Sequence, residues 1–353
     1  MGVMMTAHYS SSEFEKPNTG PKLVNLALQG GGSHGAFTWG VLDRLLEDDR
    51  LTIDGITATS AGSINAVVLA HGLSVGGREA AKKALALFWR RMSSLMTSSI
   101  VQPSILDKML GNFGLDYSPG YMFVNMLCQL LSPYQLNPCN LNPLKNLLEE
   151  IVDFQRIRQQ TAVKLFLCAT NVRTCKLQVF RNPELTADHV LASSCLPFLM
   201  HAIEIDGERY WDGGFIGNPA LFPVIYECDA CDIILVHVTP TQRSDFPVSA
   251  NSILSRMQEM SVSSSLMREM RAIAFVNKLI DQRKMIGGKQ ILIHVIEAED
   301  VISDLPNSSK LNGDWNFLLH LHDIGRRHAD DWLVSNFSRI GIESSVDVQA
   351  EYL

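Results

Sequence analysis

The chain has 353 residues, enough for one large domain or two ordinary ones; 46% of them are hydrophobic and 19% are charged. This composition predicts a globular protein with a sizeable core. The net charge of −7 excludes nucleic acid as an expected partner and argues against a general attraction to anionic membranes. The sequence contains no apolar run long enough to span a bilayer, and its first residues lack the layout of a secretory signal. We therefore expect a cytoplasmic protein.

After a polar segment, residues 1–21, that we expect to be disordered, strand and helix patterns alternate along the chain. Strands are predicted at 22–29, 52–59, 163–170, 176–181, 202–212, 232–239 and 290–297. Helices are predicted at 35–48, 61–72, 77–95, 142–153, 188–195, 251–285 and 315–336. This alternation is typical of an α/β fold with a central, mostly parallel sheet flanked by helices. We expect a single domain over residues 22–345.

The first strand and the first helix are joined by a glycine-rich loop, in which the glycines are Gly30, Gly31, Gly32 and Gly35. A loop of this kind between a strand and a helix presents backbone N–H groups to an anion, either a phosphate or the oxyanion of an acyl intermediate. The spacing also fits a dinucleotide-binding fingerprint, for which Asp54 would be the acidic residue. That alternative leaves the next two motifs unexplained, and the loop lacks the Gly-Lys-Ser/Thr of an ATPase.

The second motif surrounds Ser60, between the second predicted strand and a helix of small and apolar residues. Strand, small-x-Ser-x-Gly and helix are the context of a nucleophile elbow, in which a sharp turn needs small neighbours such as Ala58 and Gly62. The turn would hold the Ser60 hydroxyl at a helix N-terminus, where negative charge is favoured. The alternative is a serine that only caps the helix.

The third motif, Asp212 followed by Gly213 and Gly214, ends the second arm of a predicted hairpin whose turn is Asp206-Gly207. An aspartate at a strand end before two glycines can lie where functional side chains converge. The alternative is an ordinary Asp-Gly turn.

Together the three motifs resemble the patatin-like phospholipases, a family of lipid acyl hydrolases with the pattern G-G-G-x-[RK]-G, G-x-S-x-G and D-G-[GA]. The stretch 191–198 is similar to the helix and proline turn that precede the family's aspartate hairpin. The resemblance extends from about Leu23 to Pro240 and over most of the remainder. Two residues depart from the pattern: Ala58 replaces the first elbow glycine, and His34 replaces the basic residue of the loop. His34 would supply a pH-dependent charge there or act as a plain loop residue.

The resemblance implies that Ser60 attacks an ester carbonyl and that Asp212, with its pKa raised by burial, accepts the serine proton directly. The amides of Gly30, Gly31 and Gly32 would hold the oxyanion, and water would release a fatty acid. The implied substrate is a phospholipid or lysophospholipid. Neither a metal nor a cofactor is needed. Peripheral membrane contact stays open, and the sequence does not indicate the oligomeric state.

Three alternatives to this hydrolase remain. The same acyl-enzyme could pass its acyl group to an alcohol or thiol, as in an acyltransferase. The departures at Ala58 and His34 could instead mark a non-catalytic lipid- or protein-binding module. A Ser-His-Asp triad would need a strand-end histidine such as His237 or a late one; the late candidates, His320, His322 and His328, fit a solvated helix face better than a catalytic or metal site.

Residues 96–143 do not continue the alternation of strand and helix patterns, and they are rich in Leu, Met, Phe, Tyr, Ser and Pro. We expect an insertion over the site, forming a lid or acyl-chain channel, with an additional core helix or a dimer contact as the alternatives. Helix 251–285 is amphipathic and is expected to pack against the sheet, although membrane contact is a second reading. The seven cysteines indicate reduced thiols, and we expect Cys228 and Cys231 to be packing residues.

Overall fold

The computed structural model describes residues 20–111, 113–159, 162–241, 246–248, 250–285 and 287–352. Its strands are β1 (Lys22–Leu28), β2 (Leu51–Thr59), β3 (Lys164–Asn171), β4 (Leu177–Arg181), β5 (Ile203–Ile205), β6 (Glu208–Asp212), β7 (Asp232–His237) and β8 (Leu292–Glu297). Its helices are α1 (Gly35–Leu46), α2 (Ala61–Thr97), α3 (Ile105–Leu110), α4 (Pro119–Leu130), α5 (Pro133–Leu136), α6 (Pro143–Ile151), α7 (Phe154–Gln159), α8 (Ala187–Ser193), α9 (Phe222–Glu227), α10 (Ala250–Asp281), α11 (Glu299–Ile302), α12 (Trp315–Asn336) and α13 (Val348–Tyr352). Almost all of the segment predicted to be disordered lies outside the described residues.

All eight strands belong to one sheet, in the order β5-β6-β3-β2-β1-β7-β8, with β4 also paired to β3. The five strands β1, β2, β3, β7 and β8 run parallel. Strands β4 and β6 pair antiparallel with β3, and β5 pairs antiparallel with β6. The predicted central, mostly parallel sheet is confirmed, and the predicted hairpin at 202–212 is the antiparallel pair β5–β6.

Helices cover both faces of the sheet because the central strands are apolar on both sides. Along β1, Leu26 and Leu28 belong to the larger hydrophobic cluster, to which α1, α2 and α12 contribute. Ala27, between them, faces the second cluster, formed with α9 and α10. This division of alternate side chains between two helical layers produces a three-layer α/β/α arrangement.

Two details of the backbone depart from the regular elements that the sequence predicts. The predicted helices 61–72 and 77–95 are one element, α2, which is kinked where Gly76 and Gly77 leave helical geometry; Gly77 has φ +69°. The pairing of β1 with β2 is irregular, because its register shifts between Val24 and Leu26. Strand β2 continues to Thr59, so that its carboxyl end reaches the elbow serine.

Residues 96–143 contain α3, α4 and α5. Helix α4 carries no buried residue, which excludes the alternative of an additional core helix for this part of the segment. Helix α10, in contrast, buries Leu266, Met270 and Ile273 in the second cluster, as predicted for a helix packed on the sheet.

Candidate active site

Ser60 lies between the carboxyl end of β2 and the first residue of α2, and its backbone is left-handed with φ +55° and ψ −126°. A non-glycine residue in this region of φ/ψ space is strained and persists only where the surroundings fix it. Here the Ser60 amide donates to the carbonyl oxygen of Ser193 at 3.1 Å and to its Oγ at 3.1 Å. The backbone thus has the sharp strand-to-helix turn expected of an elbow.

The neighbours of Ser60 explain how the turn fits. A Cβ on Gly62 would clash with the carbonyl group of Leu28, so the α2 N-terminus can approach β1 only with glycine at this position. Ala58 is fully buried on β2, opposite Leu28 on one side and Leu167 on the other. Its methyl group fits into the core, and the departure from glycine at this position therefore leaves the turn intact.

Asp212 ends β6, where it pairs with Ala169 of β3. Its amide donates to the carbonyl oxygen of Cys195 at 2.8 Å, and its own carbonyl accepts from Thr170 Oγ1 at 2.8 Å. The carboxylate accepts the Gly214 amide on Oδ1 at 2.7 Å, and the Ser60 side chain lies close enough to lower the pKa of Asp212. The structure therefore brings the two residues predicted as nucleophile and base close together.

Burial raises the pKa of Asp212 to about 6, while the hydrogen bonds from Ser60 and Gly214 act in the opposite direction. Of the two glycines after Asp212, Gly213 is sterically required. A Cβ on Gly213 would clash with the Cys168 carbonyl oxygen, and one on Gly214 would lie 3.0 Å from the Asp212 carboxylate. The close approach of Gly213 to Cys168 holds the end of β6 against β3, where Asp212 is buried.

The glycine loop leads into a single 3-10 turn, Gly32–His34, at the start of α1. Gly30 packs against the Cβ of Ser60, but its amide donates to Asn218 Oδ1 at 2.7 Å. The prediction that the Gly30 amide serves in an oxyanion hole therefore needs correction, because that donor is already engaged. Among the residues that the structure describes, the amides of Gly31 and Gly32 have no acceptor.

His34 does not face the anion-binding side of the loop. Its side chain is buried, Nε2 is 2.8 Å from Ser309 Oγ, and the ring meets Phe317 edge-on. A Cβ on Gly32 would meet the carbonyl oxygen of Lys310, so the 3-10 turn Asn307–Leu311 packs directly on the glycine loop. Of the two predicted roles of His34, the plain structural one fits these contacts.

Two residues that sequence reasoning missed hold the site together. The Ser193 hydroxyl donates to the Cys168 carbonyl oxygen at 2.7 Å and lies 2.8 Å from Ser63 Oγ, which links α8, β3 and the start of α2. Asn218 accepts the Gly30 amide on its side chain and the Gln29 side chain on its backbone carbonyl, the latter at 3.0 Å. The only signal for these two residues was their closeness in the sequence to the family-like motifs. Ser193 lies within the stretch 191–198, and Asn218 follows Asp212 closely.

The histidines considered for a triad have other partners. His237 Nδ1 lies 3.1 Å from a Glu297 oxygen, and His322 bonds to Asp43 and Asp323. His320 stacks on Phe113, and His328 meets Phe37 edge-on. In the described ranges, no histidine is hydrogen-bonded to Ser60 or Asp212.

The position of Asp54 contradicts the alternative that the glycine loop binds a dinucleotide. This carboxylate accepts the Asp229 and Ala230 amides and lies 3.5 Å from the Lys164 ammonium, at the end of the sheet where β3 begins. The glycine loop, in contrast, follows the carboxyl end of β1, where a ribose-binding carboxylate would also have to lie.

Of the two cysteines predicted to be packing residues, Cys228 fits that role. Cys228 is buried with its sulfur against Gly55, and burial raises the pKa of its thiol to about 12, so the reactive thiolate is disfavoured. One group of three carboxylates lies together, Glu297, Glu299 and Glu351, but this group is separate from Ser60 and Asp212. In the described part of the chain, no helix is long and apolar enough to cross a membrane.

Fold and site define a three-layer α/β protein in which a strained elbow serine meets a buried carboxylate beside a glycine loop. The chain belongs to the patatin-like phospholipase family, whose model matches residues 26–225, more than half of the sequence.

Two solved structures are similar to the chain at 14% identity. The first is VipD from Legionella pneumophila, with a TM-score of 0.37, covering 86% of this chain and 67% of that one. The second is the type III effector protein ExoU, with a TM-score of 0.30, covering 86% of this chain and 54% of that one. This chain therefore spans about half the length of the second. No curated protein matches the sequence.

Proposed function

We propose that this protein is a serine acyl hydrolase that cleaves fatty acyl esters of phospholipids or lysophospholipids, with Ser60 as nucleophile and Asp212 as general base. The observation that carries the proposal is the proximity of Ser60 to a buried carboxylate, Asp212, whose pKa is about 6. A base is most effective when its pKa lies near the operating pH, and an ordinary aspartate is too weak a base at neutral pH.

The reaction proceeds through an acyl-enzyme. Ser60 Oγ attacks the ester carbonyl while its proton passes to Asp212; the tetrahedral intermediate then collapses, and the alcohol leaves with that proton. Asp212 next takes a proton from water, whose oxygen attacks the acyl carbonyl. A second collapse releases the fatty acid and returns the proton to Ser60.

The oxyanion is stabilised by the amides of Gly31 and Gly32, two of the loop donors without an acceptor in the described structure. Neither an acidic residue nor a side-chain cap is present in this first turn, so the positive end of the helix is not neutralised. Removing one such donor typically costs about 3 kcal/mol of transition-state stabilisation. The Gly30 amide contributes indirectly by fixing the loop through Asn218.

An acyl substrate fits the surface around Asp212. Phe215, directly after Gly214, is exposed, as are Leu196, Phe198 and Leu199, which follow the Cys195 carbonyl that binds the Asp212 amide. Apolar side chains on both segments that flank the base provide contacts for a fatty acyl chain rather than for a polar acyl group.

The experiment measures fatty acid release from mixed phospholipid micelles by the wild type, Ser60→Ala and Asp212→Asn. Matched controls are Ser264→Ala on an exposed face of α10 and Asp206→Asn in the exposed hairpin turn. The proposal requires release by the wild type and both controls and its loss in both site variants. Full activity of Asp212→Asn would rule out the dyad, and acyl products without free fatty acid would identify an acyltransferase.

A further inference from the structure

We infer that residues 117–144, comprising α4 and α5 with their flanking turns, dock the protein on a neutral phospholipid surface with α4 lying in the plane of the interface. The inference rests on the proposed function, since it assigns the way in which a lipid substrate reaches Ser60. The segment is called the apolar arm below.

The first observation is the composition of the apolar arm. Residues 117–144 contain no Asp, Glu, Lys, Arg or His, although most of them are exposed or half-buried. Charged residues normally dominate such surface segments because their desolvation is costly and water accommodates them. A long surface segment without any of them is suited to an apolar environment.

The second observation is the exposed face of α4. Met122, Phe123, Met126 and Leu130 have exposed fractions of 58%, 51%, 49% and 72%. Positions 122, 126 and 130 are four residues apart and therefore form one stripe along the helix, with Phe123 beside it. No residue of α4 is buried, so this stripe is not used by the core of the described protein.

The third observation is how the apolar arm is attached to the site. Just before it, the Leu115 amide donates to Ser308 Oγ at 3.0 Å, next to the Ser309 hydroxyl that contacts His34 of the glycine loop. At α5, the Ala202 amide donates to the Tyr134 hydroxyl at 3.2 Å, and His201 Nε2 lies 3.1 Å from the carbonyl oxygen of Pro133. The apolar arm is thus fixed near the glycine loop at its start and near the chain that precedes the Asp212 hairpin at α5.

Exposed apolar side chains also flank the candidate base Asp212, namely Leu196, Phe198, Leu199 and Phe215. Exposed apolar side chains therefore lie both on the apolar arm and on the segments that adjoin the site. A bilayer bound there would present its acyl esters at the same edge of the sheet as Ser60.

The absence of charged residues from the apolar arm also indicates which type of lipid surface it binds. Anionic lipids are recognised by clusters of Lys and Arg near the membrane surface. The apolar arm has none, and the whole chain carries a net charge of −7. At 12 residues, α4 is about 18 Å long, shorter than the bilayer core, which favours an in-plane helix.

The test is co-sedimentation of the full chain with phosphatidylcholine vesicles, in a Ser60→Ala background so that the lipid stays intact. We expect Phe123→Glu to weaken vesicle binding about tenfold or more, because a charge replaces a membrane-inserted ring. The matched control is Val334→Glu on α12, where the valine is 83% exposed, and it should bind like the parent. Added phosphatidylserine should not strengthen binding, and added salt should not weaken it.

The inference is overturned if Ser60→Ala does not bind these vesicles, if Phe123→Glu binds as well as the parent, or if only anionic vesicles bind. A dimer in solution that Phe123→Glu dissociates would assign the face to a second copy instead. Thermal unfolding of Phe123→Glu checks that the variant is folded. Wild-type hydrolysis of a water-soluble short-chain ester tests the proposed function separately: vesicle binding without ester hydrolysis would reject the chemistry alone.

Discussion

The side chain of Asn218 holds the amide of Gly30 at 2.7 Å, and Gly30 in turn packs against the Cβ of Ser60. Asn218 is itself only 1% exposed, and its backbone carbonyl accepts from Gln29 Nε2. Gln29 Oε1 accepts the amides of Val238 and Thr239 after β7. The glycine loop is therefore positioned by buried amide side chains rather than by its own sequence.

Replacing Asn218 with alanine should lower kcat by about tenfold to a hundredfold while leaving KM nearly unchanged, because a loop that shifts misplaces the oxyanion donors only in the transition state. Steady-state kinetics on a soluble ester give both constants. A parallel rise in KM, or an unchanged kcat, would contradict this positioning role. The unfolding midpoint of the variant shows whether any loss of activity simply follows a loss of fold.

The pH dependence of kcat/KM should reflect the protonation state of Asp212. Below its pKa of about 6 the carboxyl group is protonated and cannot accept the Ser60 proton, so kcat/KM should fall about tenfold for each pH unit below that value. The measurement needs an uncharged soluble ester, so that only the protein titrates. An acid limb near pH 4 would mean that the base is not desolvated as the structure indicates.

Burial of the Asp212 carboxylate should also lower the free energy of unfolding at neutral pH. Because the folded pKa of Asp212, about 6, lies above the ordinary 3.8, the folded state binds more protons than the unfolded chain between these values. Stability is therefore highest below pH 4 as far as this group is concerned and declines as the pH rises to about 6. At neutral pH the cost is roughly 3 kcal/mol.

Asp212→Asn should accordingly unfold at a higher urea concentration than the wild type at pH 7, with the difference disappearing near pH 4. The gain should reach up to about 3 kcal/mol, less whatever the altered hydrogen bonds to Ser60 and Gly214 cost. A variant that is less stable than the wild type at both pH values would show that Asp212 contributes more by its bonds than it loses by burial.

Gly62→Ala should be among the most damaging substitutions of a single methyl group, because that group would overlap the carbonyl of Leu28, which belongs to a central strand and cannot move away. We expect a loss of about 2 kcal/mol or more and reduced labelling of Ser60 by a fluorophosphonate. Gly207→Ala is the comparison: its Cβ would meet nothing within 4 Å, and only its φ of +77° is unfavourable. Equal losses in the two variants would refute the steric argument.

The local patterns predicted the parts of the molecule that depend on neighbouring residues. Alternating hydrophobic runs identified the strands and helices, and the elbow around Ser60 and the hairpin before Asp212 formed where their sequences indicated. The contact between these two residues was implied by the family resemblance alone, because nothing in either stretch specifies that β6 joins β3 beside β2.

The features of the site that the sequence did not reveal depend on contacts between residues that are far apart in the sequence. His34 was considered for a charge on the loop, yet Ser309 and Phe317 enclose it. The Gly30 amide was assigned to the oxyanion because Asn218 could not be placed. The exposure of α4 was equally hidden, since an apolar sequence by itself favours burial.

The late position of β6 in the sequence determines when the site can form during synthesis. Translation produces β1, the glycine loop, β2 and Ser60 early, whereas Asp212 follows only after β3 and the hairpin, and the Ser309 hydroxyl that contacts His34 comes later still. A nascent chain that has left the ribosome only as far as α8 holds a nucleophile without a base. Esterase activity should therefore be withheld until most of the polypeptide has emerged, which couples the appearance of activity to the completion of the sheet.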